Sequence, residues 1–317
     1  MLTRHSKCAH PVDLSARYVA ALLTLKDTLA RAQTGTILSI SSILEETSFF
    51  DKTTVLTALM EQPRSESQPD IEPNRVPVIL TDDAAIQTLT TGEIIESKRI
   101  LSGSNYTFLV RIDAGPGQHI RAVYKPERGE QPLYDFPLGT LYKREYAAYI
   151  FSQSLGWPNI PLTTIRNGPH GIGSFQLFLD ADPQINYFDL VRERRERLLP
   201  ISVFDVAVNN ADRKGGHCLL GYDQKVWSID HGLTFHPVFK IRTVMQEFWG
   251  ASIPDPLLND MCRVENELES NVGTTVLLSE VLDEPELNAL RHRLASLIHD
   301  RVIPTLDSYA NLPWPLI

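Results

Sequence analysis

Apolar positions in the first sixty residues follow a helical period. Between residues 13 and 33 they recur every three or four positions, at Leu14, Tyr18, Leu22, Leu25 and Leu29. Two shorter patterns of the same kind follow, around residues 40–44 and 55–60. Three helices with a tight break between them resemble a helix-turn-helix core, but generic helical packing explains the same pattern without DNA. We therefore predict a small helical module over residues 1–61, the one part of the chain with any potential to contact nucleic acid.

The pattern disappears in residues 62–79. The segment Q-P-R-S-E-S-Q-P-D-I-E-P-N-R-V-P contains four prolines and almost no apolar periodicity. Proline-rich polar stretches of this kind are typical of linkers between domains. We predict a linker over residues 62–79 and a second domain over residues 80–317.

The second domain opens with alternating patterns that favour strands. After a short helical pattern in D-D-A-A-I-Q-T-L, three strand patterns follow: G-E-I-I-E-S-K-R-I-L, N-Y-T-F-L-V-R-I and H-I-R-A-V-Y-K. The turns S-G-S and D-A-G-P-G-Q join them, which predicts an antiparallel meander. The later G-P-H-G-I-G lacks the strand-loop-helix setting of a nucleotide loop and is read as a turn before the strand S-F-Q-L-F-L.

Composition narrows the class of protein. The chain has 317 residues, 43% of them hydrophobic, and a formal net charge of -9, which disfavours broad attraction to nucleic acid or anionic lipid. Its three cysteines, Cys8, Cys218 and Cys262, are far apart and indicate neither a disulfide framework nor a thiolate zinc site. The first residues lack the apolar core of a signal peptide, and no run approaches the roughly 20 apolar residues of a membrane span. We expect a cytoplasmic protein.

Lys125 ends the third strand pattern, in A-V-Y-K-P, among apolar neighbours. Because side chains alternate along a strand, Lys125 shares a face with Val123, and we expect core residues on that face. A buried ammonium group needs an acidic partner, and we predict Glu145, in the helical segment L-Y-K-R-E-Y-A-A-Y-I. The inward face of that helix is marked by Tyr142, Tyr146, Tyr149 and Ile150. Such a pair holds phosphates in nucleoside triphosphate sites; the alternative is a surface lysine at a strand end.

The densest polar cluster is N-N-A-D-R-K-G-G-H, residues 209–217, which follows the helical pattern L-L-P-I-S-V-F-D-V-A-V. Two short strand patterns come next, H-C-L-L-G-Y and K-V-W-S-I-D. A hairpin formed by them would bring Asp212, His217 and Asp230 to one small site. Without other motifs, the cluster is also consistent with a solvated turn, since Asn, Asp and Gly favour turns.

These motifs, in this order, resemble a bacterial family described as phosphatidylinositol 3- and 4-kinase-like, in the lipid-kinase and toxin-kinase branch of the protein-kinase-like fold. The resemblance runs from about residue 84 to the final P-W-P and is carried by T-G-E-I, Y-K-P, R-E-Y-A-A-Y, L-G-W-P, N-N-A-D-R-K-G-G-H, I-D-H-G and the R-T-V segment. It implies an α+β fold of two lobes, an antiparallel-sheet N-lobe over about 80–179 and a mainly helical C-lobe over about 180–317.

The resemblance also implies an ATP-dependent phosphotransferase that uses Mg²⁺, with Mn²⁺ as a further option, and an unidentified hydroxyl acceptor on a protein or small molecule. Asp212 would orient or deprotonate the acceptor, and Asp230 with His217 would hold the metal. Lys125, fixed by Glu145, would hold the α and β phosphates. The turn Ser102, Gly103 and Ser104 would cover the phosphates, although any β-hairpin uses such a turn. The remaining implied positions are Gln176 and Phe178 before the hinge, and Arg242, as a phosphate or acceptor contact or a structural ion pair.

Two positions depart from related kinases. His217 stands where they use asparagine to bind a metal, and Lys214 replaces the histidine of D-R-H. Imidazole is a softer ligand than an oxygen and is less suited to Mg²⁺. Two alternatives therefore stay open: a nucleotide-sensing pseudokinase whose N-terminal helices bind a partner, and a metal-dependent hydrolase. The hydrolase would draw its ligands from Asp212, His217, Asp230, His231 and His236.

Overall fold

The computed structural model describes residues 82–101 and 105–317, which fall within one compact unit. The predicted helical module of residues 1–61, the predicted linker and the turn Ser102–Ser104 lie outside the described residues. The domain boundaries therefore stay predictions.

One helix, a five-stranded sheet and a second helix build the first lobe. The elements are α1 (Asp82–Thr91), β1 (Ile94–Ile100), β2 (Thr107–Asp113), β3 (His119–Pro126), α2 (Leu141–Leu155), β4 (Thr163–Gly168) and β5 (Gly171–Leu177). The strand order is β1-β2-β3-β5-β4, and every neighbouring pair is antiparallel. The predicted meander of the first three strands is confirmed, whereas the sequence pattern did not indicate β4, which pairs with β5 at the edge.

The two faces of this sheet have different roles. One face carries the lobe's core, where fully buried side chains of β2, β3 and β5 pack with Leu89 of α1. These side chains are Val110, Ile112, Ala122, Tyr124 and Phe175. Lys125 alternates with Tyr124 and points the opposite way, so the expectation that it shares a face with the core was wrong. That opposite face of β3 is only partly buried and carries Lys125 toward α2.

Helix α2 forms where predicted, but its inward face differs from the predicted one. Tyr142 and Ile150 are buried, as expected, whereas Tyr146 and Tyr149 are only partly buried. Small and charged residues take their place: Arg144, Glu145, Ala147 and Ala148 are buried together with Phe151. The helix contacts β4 and β5 on one side and the helices of the second lobe on the other, so it is enclosed on more than one face. It ends at Gly156, whose φ of 84° is the left-handed conformation that glycine adopts readily.

Helices and one short hairpin build the second lobe. The elements are α3 (Tyr187–Glu193), α4 (Arg195–Val208), β6 (Cys218–Leu220), β7 (Val226–Ser228), α5 (Asp255–Ser270), α6 (Thr274–Ser279) and α7 (Glu284–Asp300). The predicted helix before the polar cluster and the predicted hairpin after it are both confirmed. An antiparallel-sheet lobe followed by a mainly helical lobe is the α+β, protein-kinase-like architecture predicted from the sequence. No helix in the described part of the chain has the length and apolar character needed to cross a bilayer.

Gly173 brings β5 into unusually close contact with β3, beside Lys125. A Cβ at this position would lie 2.4 Å from the Lys125 carbonyl oxygen and 2.6 Å from Pro126 Cα. Because both contacts are with backbone, a methyl group forces the strands apart, and we expect Gly173→Ala to lower the free energy of unfolding by about 1–3 kcal/mol. Gly216→Ala is the control, since its nearest neighbour, Ile317 Cγ2, would be 3.7 Å away. Urea denaturation compares the two variants, and equal stabilities would contradict this packing.

Candidate functional site

Three distant segments meet around the ammonium group of Lys125. Its Nζ donates to Glu145 Oε1 from α2 and, at 2.9 Å, to Asp230 Oδ1 from the segment after β7. Glu145 also accepts, through Oε2, a hydrogen bond of 2.9 Å from the backbone N–H of His231. The two carboxylates are therefore joined through one lysine and one backbone amide. The structure brings the predicted Lys125 and Glu145 together and adds Asp230 to the pair.

The charges in this group depend on one another. Burial opposes ionisation of Lys125, but Asp230 and Glu145 outweigh it and hold the pKa of Lys125 above its usual range. Burial raises the pKa of Glu145, and Lys125 opposes that shift. Partial desolvation also disfavours charge on Asp230, yet Lys125 and His217 hold the pKa of Asp230 below its usual range. At neutral pH Asp230 is thus a carboxylate, and 48% of its side chain is exposed.

Two asparagines shape the loop that follows α4. The helix ends at Asn209, whose φ is 54°, and the Asn209 side chain donates to the carbonyls of His236 and Val238 at 2.9 and 2.8 Å. Asn210 turns inward: its amide donates to Asp205 Oδ1 at 2.9 Å, and its Oδ1 accepts from the backbone N–H of Asp212 at 3.0 Å. One amide therefore holds the segment after D-H-G, and the other fixes the backbone of Asp212.

Arg213 is the buried centre of the loop. Its side chain is fully buried and forms a two-pronged ion pair with Asp205, with Nε–Oδ2 at 2.7 Å and Nη2–Oδ1 at 2.9 Å. The same guanidinium donates to the Ile229 carbonyl at 2.9 Å and contacts His231 Nε2 at 3.0 Å. Burial opposes the charge on Arg213, but Asp205 outweighs it and raises its pKa further. Arg213 thus links α4, the polar loop and the D-H-G segment.

Asp212 lies on the loop between α4 and β6. Its carboxylate is 30% exposed, and Oδ2 is 3.1 Å from the ammonium group of Lys214. Burial raises the pKa of Asp212, and Lys214 opposes the shift. The lysine that replaces histidine in this loop therefore neutralises the acid that the sequence identified as the catalytic candidate.

His217 lies beside Asp230. Its Nε2 is 3.4 Å from Asp230 Oδ2, and its Nδ1 accepts a hydrogen bond of 3.3 Å from the backbone N–H of Lys214. Burial lowers the pKa of His217 to about 4, so the ring is neutral at pH 7. Since Nδ1 accepts, the ring proton lies on Nε2, toward Asp230. The two side chains assigned to the metal are therefore in contact.

Other predicted positions lie apart from this group. Arg242 donates through Nε to the Ala211 carbonyl at 2.7 Å, which makes it a brace of the loop backbone. Gln176 lies on the same side of the sheet as Lys125 and donates to Thr163 Oγ1 at 3.0 Å. Phe178 follows β5, and its N–H donates to the Arg121 carbonyl at 2.9 Å. Ser102, Gly103 and Ser104 lie outside the described residues.

Two of the three histidines in the hydrolase alternative have other partners. His231 is fully buried, with Nε2 against Arg213 and Ser228 Oγ. The Nδ1 of His236 accepts from the backbone N–H of Val238 at 3.0 Å. In the stretches that the structure describes, no three His, Cys, Asp or Glu side chains are grouped to hold one metal ion.

Asp205 and Arg213 were not singled out from the sequence as a pair. The signal was present in F-D-V-A-V, where one acid interrupts an otherwise apolar helix pattern. A charge in such a helix requires a buried partner of opposite sign. The solvated-turn alternative would leave Arg213 exposed, whereas the structure shows that Arg213 is that partner.

The five-stranded antiparallel sheet and the mainly helical second lobe give the chain an α+β, kinase-like fold. No protein-family model matches it. Protein Rv2133c of Mycobacterium tuberculosis (strain ATCC 25618 / H37Rv) is 37% identical over 262 residues, covering 72% of this chain and 93% of that protein. The chain belongs to the same family as Protein Rv2133c.

The other similarities are lower in sequence identity. Phosphatidylinositol 4-kinase gamma 4 of Arabidopsis thaliana is 30% identical over 132 residues, which cover 33% of this chain and 23% of that protein. A Golgi casein kinase structure with Mn/ADP bound is 14% identical with a TM-score of 0.46, covering 99% of this chain and 98% of that chain. The Helicobacter pylori proinflammatory kinase CtkA is 12% identical with a TM-score of 0.42, covering 68% of this chain and 94% of that chain.

The depressed pKa of His217 predicts a specific loss of stability in acid. The unfolded imidazole binds a proton near pH 6.5, whereas the folded one, 14% exposed, does so only near pH 4. Between these values the unfolded state binds more protons, so stability falls as the pH falls. We expect wild type to lose about 2–3 kcal/mol more unfolding free energy than His217→Asn over this window. Urea denaturation of metal-free protein at several pH values measures the difference, and parallel pH curves would contradict the assignment.

Proposed function

We propose that this protein is a kinase-like phosphotransferase that transfers a phosphoryl group from ATP, with a divalent cation, to a hydroxyl acceptor. One observation carries the proposal: Lys125 contacts both Glu145 and Asp230 while Asp212 and His217 lie on the adjoining loop. A strand lysine, a helix glutamate and two acids from separate segments are the parts that phosphoryl transfer needs. The alternative, that Lys125 is an ordinary surface lysine at a strand end, does not account for this arrangement.

The side chains present fit a divalent cation and a nucleotide. Asp230 is ionised and half exposed, and a carboxylate oxygen suits Mg²⁺ or Mn²⁺. To bind the cation, His217 moves its ring proton from Nε2 to Nδ1 and gives up the hydrogen bond from the Lys214 N–H, and the freed Nε2 favours Mn²⁺ over Mg²⁺. We propose that these two residues hold the cation, which when bound neutralises negative charge on the phosphates. In this proposal Lys125 releases Asp230 and binds the phosphates, while its contact with Glu145 keeps the lysine in position.

The acceptor side of the reaction is assigned to Asp212 and Lys214. Asp212 is fixed through its backbone by Asn210, and its partly exposed carboxylate orients the acceptor hydroxyl and takes its proton. Lys214, 3.1 Å away, places a positive charge where negative charge develops on the phosphoryl group. In this proposal the lysine is a working part of the loop and not a sign of lost activity.

The similarity to a phosphatidylinositol 4-kinase over 132 residues supports the phosphotransferase class. It covers one third of this chain, and a shared fold region does not carry a lipid acceptor with it. We therefore propose a hydroxyl acceptor on a protein or small molecule. A pseudokinase would need the contacts of Lys125 with Glu145 and Asp230 to bind a nucleotide. It would not need Asp212 held beside Lys214.

Nucleotide binding and turnover test the proposal separately. With Mg²⁺ or Mn²⁺, we expect wild type to bind ATP, more tightly with Mn²⁺, and to consume it by hydrolysis or self-labelling. Lys125→Met removes the phosphate contact and weakens binding at least about tenfold, since charge-assisted contacts contribute about 1.5–3 kcal/mol. Asp212→Asn leaves binding within about twofold but lowers turnover by about 10²–10⁴. Calorimetry and release of labelled phosphate measure the two effects.

Lys225→Met is the matched control, because Lys225 is exposed in the β6–β7 turn. It should bind and turn over nucleotide as wild type does. Absence of ATP binding by wild type with either cation would overturn the proposal. The pseudokinase would be favoured if wild type binds ATP but does not turn it over, or if its turnover is not lowered by Asp212→Asn.

A further inference from the structure

The residue beside Glu145 on α2 is attached to the second lobe. Arg144 is 1% exposed, and its Nη2 forms a buried ion pair with Glu286 Oε1 at the start of α7. Its Nη1 donates to the Thr234 carbonyl at 2.5 Å, in the segment that follows D-H-G. The guanidinium also lies 5.1 Å from the centre of the Phe136 ring. Arg144 therefore joins α2 to two parts of the second lobe.

Glu286 is itself fixed at the start of α7. Its Oε2 accepts from the backbone N–H of Asp283 at 3.0 Å, while Asp283 Oδ1 accepts from the N–H of Glu286 at 2.9 Å. This reciprocal capping box uses the carboxylate oxygen that Arg144 leaves free. The ion pair with α2 is thus anchored to the helix end and not to a mobile side chain.

The same helix holds the end of α4 two turns later. Arg293 donates through Nε to the Ala207 carbonyl at 2.7 Å, in the last turn of α4 before the catalytic loop. Burial lowers the pKa of Arg293 to about 10. Residues two turns apart lie on one face of a helix, separated by about 10 Å. One face of α7 therefore contacts both the helix that carries Glu145 and the helix that precedes Asp212.

We propose that α7 is a fixed brace and that Arg144 is a positioning residue, which holds Glu145 beside Lys125 and Asp230 through its ion pair with Glu286. The proposal rests on the proposed function, since it concerns the same phosphate site. If α2 moved away from the second lobe, the buried charges of Arg144 and Glu286 would lose their ion pair. Such a state is therefore a minor one. The site is then assembled without a separate activating modification or partner.

A double-mutant cycle tests whether Arg144 acts through Glu145. The probe is a non-hydrolysable ATP analogue with Mn²⁺, titrated into the full-length protein by calorimetry. We expect Arg144→Gln to weaken binding about tenfold in wild type and less than about twofold when Glu145 is already Gln. A purely structural loss of stability would lower binding by the same factor in both backgrounds, and that result would overturn the proposal.

Two further variants keep the test decisive. Glu286→Gln removes the charge and leaves one amide oxygen, which can accept from Arg144 or from the Asp283 N–H but not from both, so it also breaks the connection and serves in the same cycle if Arg144→Gln does not fold. Arg301→Gln removes the exposed pair with Asp255, where the side chains are 57% and 77% exposed, and should leave binding unchanged in both backgrounds.

Hydrogen exchange separates the brace from the proposed function. In nucleotide-free wild type, we expect amides of Leu141–Leu155 to exchange slowly, and at least about tenfold faster in Arg144→Gln and Glu286→Gln but not in Arg301→Gln. This measurement needs no ligand, so it tests whether α7 holds α2 in place even if wild type binds no nucleotide. Exchange of α2 in wild type as fast as in Arg144→Gln would overturn it.

Discussion

The ion pairs of Lys125 with Glu145 and Asp230 are the contacts on which the candidate site depends. They join the sheet of the first lobe, the helix beside it and the D-H-G segment of the second lobe at one ammonium group. A partly buried cation is stable only with such partners, and two carboxylates around it leave a surplus of negative charge. In the proposed function, a divalent cation binds at the half-exposed Asp230 and the phosphates bind at Lys125.

The rest of the second lobe keeps this group in place. Arg213 and Asp205 form a buried pair that connects the polar loop, residues 209–217, to α4 and to the D-H-G segment. Arg144 and Glu286 form a second buried pair that ties α2 to α7. Removing one partner of a buried ion pair lowers the stability of the folded protein by several kcal/mol, because the other charge is left buried without compensation. Both pairs therefore favour one arrangement of the candidate site, in which the partly exposed side chains are held by fully buried charges behind them.

Local patterns allowed the elements to be predicted, whereas long-range pairing did not follow from them. Alternation and turn residues predicted β1 to β3, the helix around Glu145 and the β6–β7 hairpin, all of which the structure confirms. The face of Lys125 was predicted wrongly, since alternation gives two faces and does not say which one is covered by α1. Tyr146 and Tyr149 were placed inside because large apolar residues usually are, but α2 is enclosed so closely that alanines lie there instead. Arg144 was missed because its partner Glu286 is identified only by the fold. Asp205 interrupts an apolar helix pattern in the sequence, but its pairing with Arg213 follows only from the fold.

A crystal structure with a non-hydrolysable ATP analogue and Mg²⁺ or Mn²⁺ tests the central claim most directly. We expect Lys125 to keep its contact with Glu145 and to exchange Asp230 for an oxygen of the α or β phosphate. Asp230, and His217 beside it, would then contact the cation, with Asp212 facing the terminal phosphate. A nucleotide bound elsewhere, or a complex in which the 2.9 Å contact between Lys125 and Asp230 stays intact and neither residue meets phosphate or metal, would contradict the account.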